Sequence, residues 1–140
     1  MGLKSYNSAD VQIIVGTRKL KGVAPDSFVT ITFEEDAYTK QVGADGEVTR
    51  SKSNNQSGTI EVILQQTSED NAFLQSLRNT DLNTNKGVVP VRVIDNSGSY
   101  LMQAAEAWIQ KPADKEFARD SGTRSWTLAF AKGEETGGGN

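Results

Sequence analysis

The sequence predicts a mainly β protein: an antiparallel β-sandwich or barrel with one flanking α-helix near residues 68–79 and a long extended β-hairpin near residues 37–57. Three observations predict it. Apolar and polar residues alternate in run after run, the mark of strands with one buried face. A single stretch switches to helical spacing. A third segment, "TKQVGADGEVTRSKSNNQSG" from Thr39 to Gly58, has only Val42, Ala44 and Val48 as apolar side chains and contains no proline.

In chain order, "VQIIV" (Val11–Val15) is a short strand. "FVTITFE" (Phe28–Glu34) places Val29, Ile31 and Phe33 on one face, with Thr30, Thr32 and Glu34 on the other. "TIEVILQ" (Thr59–Gln65) aligns Ile60, Val62 and Leu64. "TSEDNAFLQSLRN" then breaks the period of two. Thr67 or Ser68 caps a helix of about three turns, Glu69 and Asp70 suit its positive N-terminal end, and Phe73, Leu74 and Leu77 share a face. "VVPVRVID" (Val88–Asp95) resumes the strand pattern, with Pro90 confined to a sheet edge or a bulge because it lacks a ladder donor. "DNSG" (Asp95–Gly98) forms the hairpin turn into "YLMQAAEAWIQ". "RSWTLAF" then puts Trp126, Leu128 and Phe130 on one face.

At 140 residues the chain fits one domain, residues 1–140, with an N-terminal arm (1–9) and a Gly-rich C-terminal tail (132–140) expected to be flexible. The balance of 15 basic to 18 acidic residues, net −3, argues against a general nucleic-acid-binding surface. Histidine and cysteine are both absent, which removes the commonest general base, thiol chemistry and the usual zinc ligands. "EED" (Glu34–Asp36) reads as a solvated strand end, without the spaced ligand loop of a calcium site. Gly43 and Gly46 precede a polar strand and not a helix, so they form no phosphate loop. The expectation is no catalytic residue, no cofactor and no metal. No apolar run reaches bilayer-spanning length and the start lacks a signal-peptide core, so the expectation is a soluble protein without membrane association.

Two features stay open on residues alone. Trp108 and Trp126 could stack on sugars, as in a β-sandwich carbohydrate-binding module, but regular alternation around each favours core or subunit-interface packing. The run "DKEFARDSGTR" is a charged loop whose Asp114, Lys115, Glu116, Arg119 and Arg124 are candidate inter-subunit or partner contacts. The polar segment is read with Asp45-Gly46 as a two-residue type I′ turn. That register pairs Ala44 with Glu47, Val42 with Thr49, Lys40 with Ser51 and Tyr38 with Ser53. One face then carries Tyr38, Lys40, Val42, Ala44, Glu47, Thr49, Ser51 and Ser53; the other carries Thr39, Gln41, Gly43, Val48, Arg50 and Lys52. Neither face suits a hydrophobic core, and a lone ribbon is marginal in water with open edges. Either it is a flexible loop, or its edges pair with ribbons of neighbouring copies.

The run "YTKQVGADGEVTRSKSNNQSGTIEVILQQTSEDNAFLQSL", followed by "AAEAWIQKPADKEFARDSGTRSWTL", resembles the tail tube proteins of contractile-tailed bacteriophages. The resemblance implies a non-enzymatic virion protein that assembles as a homo-oligomer, in hexameric rings stacked into a hollow tube. The hairpin residues Tyr38, Lys40, Gln41, Val42, Asp45, Gly46, Glu47, Val48, Thr49, Arg50 and Lys52 would join neighbours and line the lumen. DNA would pass without specific binding. Implied partners are the tail sheath, tape measure, baseplate and tail terminator proteins, with assembly in the host bacterial cytoplasm. A phage-derived particle, such as a tailocin or type VI secretion-like apparatus, is the alternative setting. Lys40, Arg50 and Lys52 are expected to pair across subunits or to lie near acidic neighbours.

Overall fold

In the computed structural model, which describes residues 2–138, every alternating run forms a strand. After a 3-10 turn at Ser8–Asp10 come β1 (Val11–Val15), β2 (Arg18–Lys19), β3 (Val29–Phe33), β4 (Tyr38–Val42), β5 (Val48–Lys52) and β6 (Gly58–Gln65). The helix α1 (Asp70–Thr84) follows, then β7 (Val89–Asp95), β8 (Leu101–Lys111), β9 (Thr123–Phe130) and β10 (Gly133–Thr136). Eight strands make one antiparallel sheet in the order β2-β1-β7-β8-β9-β6-β3, with β10 continuing along β8 beyond β9. Among the described residues, β4 and β5 pair only with each other.

The inward rows converge on one core. Ile13 and Val15, Ile60, Val62 and Leu64, Val91 and Val93, Met102 and Ile109, and Trp126, Leu128 and Phe130 are all buried in it. Each large side chain taken from water contributes about 1.5–3 kcal/mol before entropy is charged. Strands from opposite ends of the sheet, β1 and β3, both pack on this cluster, so the sheet folds back over itself as a sandwich. Pro90 sits at a register shift between β7 and β8, the bulge its missing N–H demands, although β7 is an interior strand.

Helix α1 closes the core with Leu74, which is fully buried, and with Phe73 and Leu77 at its rim. Its start is tied down by polar contacts. The Ser68 hydroxyl accepts from the Asp70 N–H at 3.3 Å and donates to the Lys21 carbonyl. The Asn71 amide donates to the Gln65 and Ser68 carbonyls, while its oxygen accepts from Trp126 Nε1 at 2.9 Å. The Asp70 carboxylate is buried, pairs with Arg18 and accepts the Lys21 N–H. One turn of helix therefore joins the β1–β2 hairpin, the end of β6 and the centre of β9.

Two boundaries differ from the sequence reading. The helix runs to Thr84 instead of ending near 79, because Asn85 adopts the left-handed conformation (φ 58°) and Asp81 accepts the Gly87 N–H, giving a polar last turn its own cap. The C-terminal segment is not a tail from 132 onward. Gly133–Thr136 pairs with Leu101–Ala104 of β8, and Gly133 seats against Phe130 and Phe33, where a Cβ would lie 2.6 Å from Phe130 Cε2. Residues 139–140 of the expected tail, and Met1 of the expected arm, lie outside the described residues.

Candidate functional site

The polar segment forms a freestanding two-stranded ribbon. Its root is fixed where β3 ends and β6 begins. Ser53 N–H donates to the Ala37 carbonyl at 2.8 Å, and Glu34 N–H donates to the Ser57 carbonyl at 3.1 Å. The Ser57 hydroxyl lies 3.2 Å from the Glu34 carboxylate, and Ser53 stands 3.5 Å from that of Glu35. Beyond this root, all ten strand residues of β4 and β5 are exposed.

The tip is not the two-residue turn that the Asp45-Gly46 pair predicts. Gly46 N–H donates to Gly43 O at 2.9 Å and Gly43 N–H to Glu47 O at 2.8 Å, with Gly46 at φ 87°. This is a three-residue loop, a type I turn followed by a left-handed glycine, stabilised by Asp45 Oδ1 accepting the Glu47 N–H at 3.0 Å. One extra loop residue shifts the pairing: Tyr38 faces Lys52, Lys40 faces Arg50, and Val42 faces Val48. The faces expected from the sequence are therefore wrong in composition, since a one-residue slip moves every side chain of one strand to the other side. Tyr38, Lys40, Val42, Val48, Arg50 and Lys52 share one face. Thr39, Gln41, Thr49 and Ser51 share the other.

On the first face the Arg50 guanidinium lies over the Tyr38 ring, 4.2 Å from its centroid. Asp36 borders the same shallow cleft as Tyr38, Lys40, Val48 and Arg50. Val42 and Val48 are 59% and 61% exposed. Asp36, Thr39 and Ser51 are positions that the sequence reading left out of the candidate set; the three-residue turn places Thr39 opposite Ser51, and the cleft beside Lys40 and Arg50 places Asp36.

Comparison with known proteins now bears on this geometry. Residues 14–138 match the family described as bacteriophage PhiTE tail tube protein. The chain belongs to that family. The tail tube chain is also 32% identical over 123 residues to structural protein ORF10 of Pseudomonas phage KPP10, covering 86% of this chain and 71% of that one. Among solved structures, the tube-terminating cap of the anti-feeding prophage superposes with a TM-score of 0.64 at 9% identity, covering 97% and 93% of the two chains. A chain of the sheath–tube complex of the PVC extracellular contractile injection system gives 0.61 at 11%, covering 94% and 91%. At such identities the likeness is one of fold. The family is structural and not enzymatic, and the sequence's resemblance to tail tube proteins is upheld.

The tail tube chain's other candidate residues separate into two groups. Lys115 and Arg124 are used within the subunit. Lys115 Nζ donates to Gln75 Oε1 and the Ala113 carbonyl and sits 4.7 Å from the Trp126 ring. Burial, with Arg124 and Arg78 nearby, lowers the pKa of that ammonium from its ordinary value. Arg124 is buried, donates to the Glu116 and Thr123 carbonyls and packs beneath Phe117. Asp114, Glu116 and Arg119 are exposed, beside a Phe117 ring that is 81% exposed. Trp126 is fully buried and Trp108 half-buried in the β8 ladder, so the two indoles form no exposed sugar-stacking platform.

Proposed function

We propose that this tail tube protein assembles as hexameric rings, stacked into a hollow tube within a contractile sheath, and that DNA leaves the virion through the bore. The observation that carries the reading is the ribbon. It holds no core residue, stands off the sheet and, among the described residues, leaves both outer edges unpaired. A ring of copies supplies the missing strand partners and closes those edges. The tube would contact the sheath on its outside and the tape measure protein inside. Baseplate and terminator proteins would meet its two ends, and assembly would take place in the host cytoplasm. The KPP10 relative favours a phage tail over a phage-derived particle.

The test exploits the closed root, where Ala37 and Ser53 are already hydrogen-bonded. Replacing Tyr38–Lys52 with an Asn-Gly linker is expected to leave a folded, soluble subunit that forms no rings in negative-stain images. The unmodified chain, concentrated, is expected to give rings or tubes with a central hole. Polymerisation of the shortened chain, or none by the full chain, would count against the proposal. Loss of fold would show that the ribbon belongs to the core.

A further inference from the structure

The observed register sorts the ribbon by chemistry. Among the strand residues, one face collects Lys40, Arg50 and Lys52 together with Val42, Val48 and the Tyr38 ring; the opposite face has the uncharged Thr39, Gln41, Thr49 and Ser51, and the ribbon's own carboxylates, Asp45 and Glu47, stand at its tip. Among the described residues the one ion pair is Arg18–Asp70. Among the described residues the three cations thus form no ion pair, and the three exposed carboxylates at the root, Glu34, Glu35 and Asp36, form none either, Glu34 and Glu35 meeting only the Ser57 and Ser53 hydroxyls. We propose that the cationic–apolar face is buried against a second copy of this chain, whose Glu34, Glu35 and Asp36 supply the counter-charges, and that the neutral face forms the wall of the bore. This rests on the ring reading above and adds which way the ribbon faces.

Two arguments choose a second copy over nucleic acid as the occupant. A second copy offers three carboxylates for three cations, and its exposed apolar side chains, Val42 and Val48 among them, are of the kind that can cover these valines. A duplex would meet only the cations and leave two half-exposed valines against water or phosphate. Cations turned to the bore would also hold DNA in passage, since each phosphate contact releases counterions and must be broken again. Hydroxyl and amide side chains hydrogen-bond to water and carry no such charge.

Val48 and Thr49 are neighbours on opposite faces, both exposed in the free chain, and the protein has no cysteine. Single-cysteine variants Val48→Cys and Thr49→Cys are therefore clean reporters for a small maleimide. In assembled tubes Thr49→Cys is expected to label as it does in the free subunit, and Val48→Cys at least about tenfold more slowly, because thiol reaction needs access. Tubes with the reverse pattern, or with no protection of either thiol, overturn the face assignment while leaving the ring standing. No tubes from the unmodified chain overturn both. Independently of the cysteine variants, Lys40→Glu, Arg50→Glu and Lys52→Glu together are expected to abolish tubes, and Glu34→Lys, Glu35→Lys and Asp36→Lys in that same chain to restore them. Failure of that restoration overturns the counter-charge assignment.

Discussion

Asp70→Ala is expected to cost about 3 kcal/mol of subunit stability. The carboxylate is only 3% exposed, pairs with the Arg18 guanidinium and accepts the Lys21 N–H. Hydrogen bonds to a charged group contribute about 1.5–3 kcal/mol each, and removing one member of a buried pair costs about 3–5 kcal/mol. The lower end applies because the Arg18 side chain is 46% exposed and regains water when its partner goes, whereas the Lys21 N–H is left without an acceptor. Urea unfolding followed by tryptophan fluorescence reads this directly. Trp126 is fully buried and bonded to Asn71, the residue next to Asp70. With a urea slope of about 2 kcal/mol/M, the midpoint should fall by about 1.5 M, at concentrations varied to keep assembly out of the transition. Arg18→Ala, which strands the buried carboxylate, should cost a comparable amount, and the double mutant less than the sum of the two. A midpoint shift under about 0.5 M for Asp70→Ala would refute the claim that this contact fastens the β1–β2 hairpin to the helix.

Two further substitutions probe other joints. Gly58→Ala should destabilise by about 1–3 kcal/mol on the same urea assay, since a Cβ there would collide with the Thr32 carbonyl and lie 2.7 Å from Phe130 Cζ, in a site without room to repack. Burial and the hydrogen bond to Glu135 raise the Tyr100 pKa above its ordinary value of 10.0. The unfolded chain therefore loses that proton first, and stability falls as pH climbs past about 10; Tyr100→Phe should flatten this alkaline loss in unfolding midpoints measured on either side of that pH.

The core was legible because burial leaves a period. Ile60, Val62 and Leu64, and Trp126, Leu128 and Phe130, are buried on the faces their alternation marks. The start of the helix was equally readable, since the Ser68 hydroxyl accepts the Asp70 N–H in the first turn. Pieces held by tertiary contacts were not. β2 is two residues long, too short for any period. β10 looks like a glycine-rich tail in composition and forms only because β8 extends beyond β9 and offers it an edge. The last turn of α1 is polar with weak helix formers, and a cap from Asp81 and Asn85 outweighs their propensity. At the candidate contact loop, nothing in the sequence distinguishes Arg124, buried under Phe117, from the exposed Arg119.

The ribbon turn is the more instructive case, because local rules did not choose between two outcomes with opposite consequences. Asp-Gly fits a two-residue turn with both residues at positive φ, and equally a three-residue loop with only the glycine there. The observed loop has the second form, with Gly46 the only residue of the turn at positive φ. It sets Val42 directly opposite Val48, a favourable pair, but also Lys40 directly opposite Arg50, and like charges in that position are destabilising. Within the chain, stacking of Arg50 on Tyr38 offsets part of that repulsion, and among the described residues no carboxylate lies within ion-pair distance of either cation. A register that brings cations together on one exposed face is stable only weakly by itself and gains most from an acidic, apolar surface laid over it. In the assembly proposed above, the same pairing that disfavours the ribbon in isolation would make its order depend on a neighbour and so couple ordering of the ribbon to the joining of subunits.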